Sequence, residues 1–245
     1  MVRFLTRGHI NTLGDFKETG VSTLSQDALY EVNMRFDLHV HTAISPCSNL
    51  QIDDILGHAK SRGLDGVCIT DHNTMEIKRY LKEGLQEDGL CVLFGMEYGT
   101  PDGDFLLFGP FEDLPAGLPP SQLLKFVAQS GGAAVAAHPF RSGRSVREDI
   151  ISEGLCRIVE SINGRNTDSE NERVGSWRGR FVLSECGGSD AHSLNELGKV
   201  VTSFDAPVRS RKDLISALVK GLCRPEWNIP PFNDLQVLSQ ACQRR

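Results

Sequence analysis

Nowhere in its 245 residues does this chain approach the roughly 18 consecutive apolar residues of a membrane-spanning helix, so no membrane partner is expected. Its N-terminus lacks the basic, then apolar, then small-residue order of a secretory signal. Seven cysteines, an odd number without paired short spacings, do not make a disulfide framework; they read as buried thiols of a cytoplasmic protein. A net charge of −6 excludes a broad basic surface for gripping long nucleic acid, but not a local cationic pocket built from metal ions. There is no internal repeat, no low-complexity tract, and no residue that reads as a covalent nucleophile paired with a base. What is present is ordinary for a globular protein: 40% hydrophobic and 24% charged residues, enough for one domain with a substantial core.

Residues 1–33 show no clear period and read as an N-terminal extension. Residues 34–224 read as the domain, and 225–245 as a Pro-punctuated tail with a weak helical signal near 235–241. Within the domain, strand and helix signals alternate. The apolar run 34–38 ends in His39-Val40-His41, and a helix over 48–62, with Ile52, Ile55, Leu56 and Ala59 at helical spacing, stops at Gly63. A buried strand over 66–70 ends in Asp71-His72, after which Asn73 is expected to cap a second helix carrying Ile77, Tyr80, Leu81 and Leu85. A strand over 91–94 leads to Gly95-Met96-Glu97, and Asp102-Gly103 turns the chain into a partner strand over 105–108. Ser121 is expected to cap a third helix ending near Gly131, and a strand over 133–137 delivers His138-Pro139. A strand over 157–162 holds Glu160, a helix-compatible stretch spans 168–178, a late strand covers 200–204, and a closing helix covers 213–220. Short strands alternating with helices imply right-handed β-α units in a mostly parallel sheet or barrel.

The chemistry is carried by what stands at the strand ends. On a strand, alternate side chains share a face, so Asp37, His39 and His41 are expected on one side and Phe36, Leu38 and Val40 on the other. Later apolar runs end in His72, in Glu97, in His138, and in Asp190 with His192. In β/α barrels the active groups lie at the C-terminal ends of the strands. Neutral imidazoles and carboxylates are the ligands of zinc, manganese and iron, and a carboxylate such as Glu97 can bridge two ions. Five imidazoles and two carboxylates exceed the three or four protein ligands that one ion needs, so two or three divalent ions are expected, roughly 3.5–4 Å apart.

The segments Phe36-Asp37-Leu38-His39-Val40-His41, Thr70-Asp71-His72-Asn73, Gly95-Met96-Glu97, His138-Pro139 and Gly188-Ser189-Asp190-Ala191-His192 resemble, in order, the motifs of the polymerase and histidinol phosphatase (PHP) family, over about 34–204. The resemblance implies a distorted seven-stranded β/α barrel, (β/α)7 and TIM-like, and a metal-dependent phosphoesterase in which a metal-bound hydroxide attacks phosphorus in line. By motif, His39, His41, Glu97 and Asp190 would hold the first ion, Glu97 and His138 the second, and His72 and His192 the third. His192 or His72, when not committed to metal, would assist proton transfer.

Two positions depart from the family pattern. Where relatives carry Asp or His a few residues after the first motif, this chain has Pro46 and Cys47. Cys47 is either a thiolate ligand favouring zinc or a small residue at a helix entry. Where relatives carry His after the turn following Glu97, this chain has Asp104. Asp104 is either a carboxylate ligand favouring harder ions such as manganese or a plain turn residue. Asp71 is expected to orient a ligand rather than bind metal, and Glu160 with Asn163 either lines the pocket or is structural. Among Arg141, Arg144 and Arg165, which follow strand ends, Arg141 is the favoured phosphate clamp. A small phosphomonoester, such as a nucleotide or phosphorylated metabolite, is the expected substrate. Cleavage of oligonucleotide ends, with short single-stranded nucleic acid as partner, and a non-catalytic metal-binding domain with a degenerate third site are the alternatives. A C–N hydrolase is set aside because its mid-barrel ligating lysine has no counterpart here.

Overall fold

The computed structural model describes residues 33–228, so the expectations for 1–32 and for a helix near 235–241 lie outside the described residues. Among the described residues eleven strands are formed: β1 Met34–Val40, β2 Gly66–Ile69, β3 Gly84–Leu85, β4 Cys91–Phe94, β5 Met96–Thr100, β6 Gly103–Phe108, β7 Ala133–Ala136, β8 Ile158–Asn163, β9 Ser184–Gly188, β10 Val200–Phe204 and β11 Cys223–Trp227. The helices are α1 Ile52–His58, α2 Pro120–Gln129, α3 Glu148–Ser152, α4 Asp168–Glu172, α5 Gly175–Arg178 and α6 Arg211–Lys220. None of them is long and apolar enough to cross a membrane.

The α/β class is as expected, but the strands do not close into a seven-stranded barrel. They form a six-stranded sheet in the order β11-β10-β1-β2-β4-β3 and a five-stranded sheet in the order β5-β6-β7-β8-β9. Each sheet has a parallel half, β1-β2-β4 and β7-β8-β9, and antiparallel members beside it. Between β4 and β5 stands only Gly95, whose missing Cβ would lie 2.6 Å from the Leu107 carbonyl oxygen. There the chain leaves the first sheet and starts the second. β9 of the second sheet packs against β1, β10 and β11 of the first, and single-residue bridges, Val40 with Ala191 and His72 with Glu97, join the two sheets. Both bridges lie where the metal-competent residues cluster in the sequence.

Strict alternation along β1 fails too. The β1–β2 register slips between Asp37 and Val40, because three residues of β1 span two of β2. Phe36 and Leu38 pack with Leu93, Leu106, Val135 and Leu214, whereas Val40 packs with Val67, Ile69 and Val92 in the other core cluster. Ala59, Leu64 and Ile55 bring α1 and the turn after it onto that second cluster, and Gly63 (φ +74) ends the turn in the left-handed region.

The helix expected after Asn73 is not formed. Asn73 has φ +53, its N–H donates to the Glu97 carbonyl, and its Oδ1 accepts from the Gly99 N–H at 3.0 Å. It ties the end of β2 to β5 instead of capping, and the chain continues through a 3-10 turn, Glu76–Arg79, into the short β3. Ser121 does not cap α2, which begins at Pro120 with Pro119 as its N-cap. β11 runs across residue 224, the expected end of the domain.

Candidate metal centre

The ligand-bearing side chains come from both sheets and meet at the two seams. His41 N–H donates to the Ala191 carbonyl and Ala191 N–H to the His39 carbonyl, which holds the end of β1 beside the turn carrying Asp190 and His192. Glu97 N–H donates to the Thr70 carbonyl, which brings the start of β5 against the end of β2 and His72. β7 ends at Ala136, two residues before His138. Asn73, His138 (φ +30) and Asp190 (φ +55) are the non-glycine residues with positive φ among those described, and all three are at this site. Strained backbone of this kind persists where the surrounding structure imposes it.

Around one point, His39 and His41 bring their Nε2 atoms to 3.0 Å. Glu97 Oε2 lies 3.5 Å from His39 Nε2, 3.2 Å from His41 Nε2 and 2.9 Å from His72 Nδ1. Asp190 Oδ1 lies 3.6 and 3.4 Å from the same His39 and His41 nitrogens. The other Glu97 oxygen is 2.8 Å from His138 Nε2, which is 3.8 Å from Asp104 Oδ2. Three compact donor groups result: His39, His41 and Glu97; Glu97, Asp104 and His138; and His41, His72 and His192. All seven strand-end residues are therefore gathered, and Asp104 joins them. Cys47 does not: it is exposed, belongs to none of the three groups, and its thiol is pushed up by desolvation, with the Glu97 and Asp190 charges adding.

The donor set fits divalent cations. Atoms bound about 2.0–2.1 Å from one ion stand about 3.0 Å apart in octahedral and about 3.4 Å apart in tetrahedral coordination, and the spacings above straddle both values. Asp104 Oδ2, which faces His138 Nε2, is buried without a hydrogen-bond partner, a costly state for a polar atom that a cation relieves. Charge balance points the same way. Burial alone would lower the His39 imidazole, but Asp190, Glu160 and Glu97 outweigh it and hold His39 well above its ordinary value. Burial would raise Glu97 and Asp190, and His39 foremost holds both below the usual carboxylate range.

A surrounding set of residues aims the donors. Glu160 accepts from His39 Nδ1 at 3.0 Å, from the His138 N–H at 2.8 Å and from Asn163 Nδ2 at 2.9 Å. It fixes the tautomer that turns His39 Nε2 inward. The signal for it in sequence is a lone charge inside the buried run 158–163. Arg141, the expected phosphate clamp, has its guanidinium committed elsewhere: NH1 to Asp190 Oδ2 at 2.7 Å, NH2 to Asn163 Oδ1 at 2.7 Å and Nε to Asn166 Oδ1 at 2.9 Å. The Asp71 carboxylate reaches His72 through Ser45: it accepts from the Thr42 N–H and hydroxyl and from the Ser45 hydroxyl, and Ser45 Oγ accepts from the His72 N–H. Asp37 accepts from the Ser189 and Gly198 N–H groups across the first seam, and burial pushes it up to about 6. His58 is exposed on α1 and belongs to none of the three donor groups.

Known proteins resemble this chain in sequence and in fold. The family profile described as PHP domain matches residues 37–162, and one described as PHP-associated matches residues 168–223. An uncharacterized protein of Methanocaldococcus jannaschii is 35% identical over 145 residues, 55% of this chain and 85% of that protein. The crystal structure of PsfC from Pseudomonas syringae superposes with a TM-score of 0.65 at 19% identity, covering 86% of this chain and 97% of that one. A lesion-specific endonuclease of Pyrococcus furiosus superposes with a TM-score of 0.60 at 16% identity, covering 80% of this chain and 57% of that one.

Proposed function

The chain belongs to the PHP domain family of metal-dependent phosphoesterases, and from that premise we propose that it hydrolyses a small phosphomonoester at a two- or three-ion centre. The observation that carries this reading is the convergence of nitrogen and carboxylate oxygen donors at ligand spacing on the two seams. His39, His41, Glu97 and Asp190 would hold one ion, Glu97, His138 and Asp104 a second, and His72 and His192, beside His41, a third. When bound, such ions neutralise charge on the phosphoryl oxygens and make water acidic enough to attack near neutral pH.

The protein's own part is positional. Glu160 keeps the His39 Nδ1 proton in place, so Nε2 faces the centre. Arg141 holds the second Asp190 oxygen and leaves the first, Oδ1, toward the imidazoles. His192 Nδ1 donates to the Asp190 carbonyl at 2.8 Å, which leaves Nε2 as its basic atom. Burial holds His192 below its ordinary value, which favours the neutral ring, able to accept a proton where Nε2 is not taken by an ion. His72, with 26% of its side chain exposed, lies on the solvent side of Glu97 and suits the same role.

The test is turnover by metal-reconstituted protein against a panel of phosphorylated metabolites, with short single-stranded DNA and RNA beside them. The endonuclease that shares this fold makes the oligonucleotide arm the necessary competitor. Release of phosphate from small esters, abolished in the His39→Ala/Asp190→Ala variant, is the expected result. Undiminished release by that variant overturns the assignment, and bound metal without any turnover identifies a non-catalytic domain.

A further inference from the structure

Arg144 differs from the other arginines of the 141–147 loop. Arg141 is bound to Asp190, Asn163 and Asn166, and Arg147 is paired with Asp102 and Asp149. Arg144 has one ionic neighbour among the described residues, Asp104, with NH1 3.3 Å from Oδ2, and 54% of its side chain is exposed. That Asp104 oxygen has no hydrogen-bond partner and faces Glu97 and His138. Once Asp104 serves a cation with those two residues, its charge is engaged there and Arg144 is left as an uncompensated guanidinium at the rim of the centre.

The space beside it is built. A cleft of 640 Å³ opens between the β5–β6 turn and the 143–147 loop, lined by Thr100, Asp102, Asp104, Arg144, Ser145 and Arg147 together with glycines and one proline. Its two walls are pinned to each other: Arg147 N–H donates to the Asp102 carbonyl, and Val146 packs so closely on Gly103 (φ +119) that a Cβ there would lie 2.7 Å from the Val146 Cα. No aromatic side chain lines the cleft, so it offers no platform for stacking a base. Asp102 is paired with Arg147, and Arg144 is the cation of the cleft whose carboxylate partner, Asp104, also faces the metal donors.

We propose that this cleft is a subsite for a second, compact anionic group on the substrate, read by Arg144, so that the substrate class is a phosphomonoester carrying a nearby carboxylate or further phosphate. The inference rests on the phosphoesterase reading and names the substrate class of that same site. A planar guanidinium engages either anion through paired N–H donors.

Calorimetric titration of the metal-loaded full chain with non-hydrolysable probes tests it. Phosphonoacetate is compared with ethylphosphonate, and 3-phosphonopropionate with propylphosphonate, pairs that differ by the carboxylate alone. At least one carboxylated probe is expected to bind about tenfold more tightly than its partner, the scale of one charge-assisted hydrogen bond. Arg144→Gln should bring that ratio close to one, and Arg144→Lys should keep part of it. A ratio of one in the wild type, or a full ratio in Arg144→Gln, overturns the subsite while alkylphosphonate binding leaves the phosphoesterase reading standing. Binding of none of the four probes overturns both.

Discussion

Glu160 shows what a buried carboxylate does when it is not itself a ligand. It receives the His39 ring N–H and the His138 backbone N–H at once, so one side chain aims donors from β1 and from the end of β7. Glu160→Gln should weaken metal affinity by roughly 10- to 100-fold while the fold persists, as such supporting partners do elsewhere; competition with a chromogenic chelator measures it, and unchanged affinity sinks the role. The imidazoles themselves set a pH dependence. Carboxylates outweigh burial at His39 and His41 and raise both above their ordinary value, so both rings hold their protons to higher pH than free imidazoles do. Metal must expel them. Apparent affinity should therefore rise with pH through and above neutrality, and uptake should release protons into the buffer. Equal heats in buffers of different ionisation enthalpy contradict this.

At the scale of elements, β9 is the member on which the site turns. Gly188 lies against β1 so closely that a Cβ would stand 2.5 Å from His39 Cβ and 2.8 Å from its backbone nitrogen. Gly188→Ala should thus cost about 1–3 kcal/mol by overpacking and displace His39 as well. A lowered unfolding midpoint together with lost metal uptake is the expected pair, and loss of neither removes the argument. This strand was not legible as one: Ser184-Glu185-Cys186-Gly187-Gly188 carries little apolar signal, because what it needs is absence of side chains beside His39 and Val200. β3 and β11 lack a sequence signal for a related reason, being short or Pro-bearing edges whose pairing partners alone define them. The helix expected after Asn73 fails because tertiary hydrogen bonds to β5 override the local capping preference.

For the whole molecule, the candidate metal centre would double as a clasp. His39, His41 and His72 come from the six-stranded sheet or the loop just after its strands, while Glu97, Asp104 and His138 come from the other, and backbone bridging between the sheets is sparse. Ions shared across the seams should hold the sheets together. At a free metal concentration of 1,000 times the dissociation constant the gain is about 4 kcal/mol, so chelation should lower the unfolding midpoint by several degrees. Identical melting curves with and without chelator exclude a clasp. Cys47 and Arg141 mark the limit of reading positions one at a time. The first lies at the right spacing yet stays outside, and the second stands at the right strand end yet directs its donors to Asp190 and two asparagines.

The order of the His, Glu and Asp motifs, their places after apolar runs, and the α/β class were determined by the sequence alone, because burial periodicity and ligand chemistry are local properties. The tertiary structure decided the rest: the split into two sheets at Gly95, the gathering of donors on the seams, Glu160 as the aiming carboxylate, and Arg144 as the exposed cation. Those depend on distances between residues far apart in the chain, which the pairing of strands sets and local residue patterns do not encode.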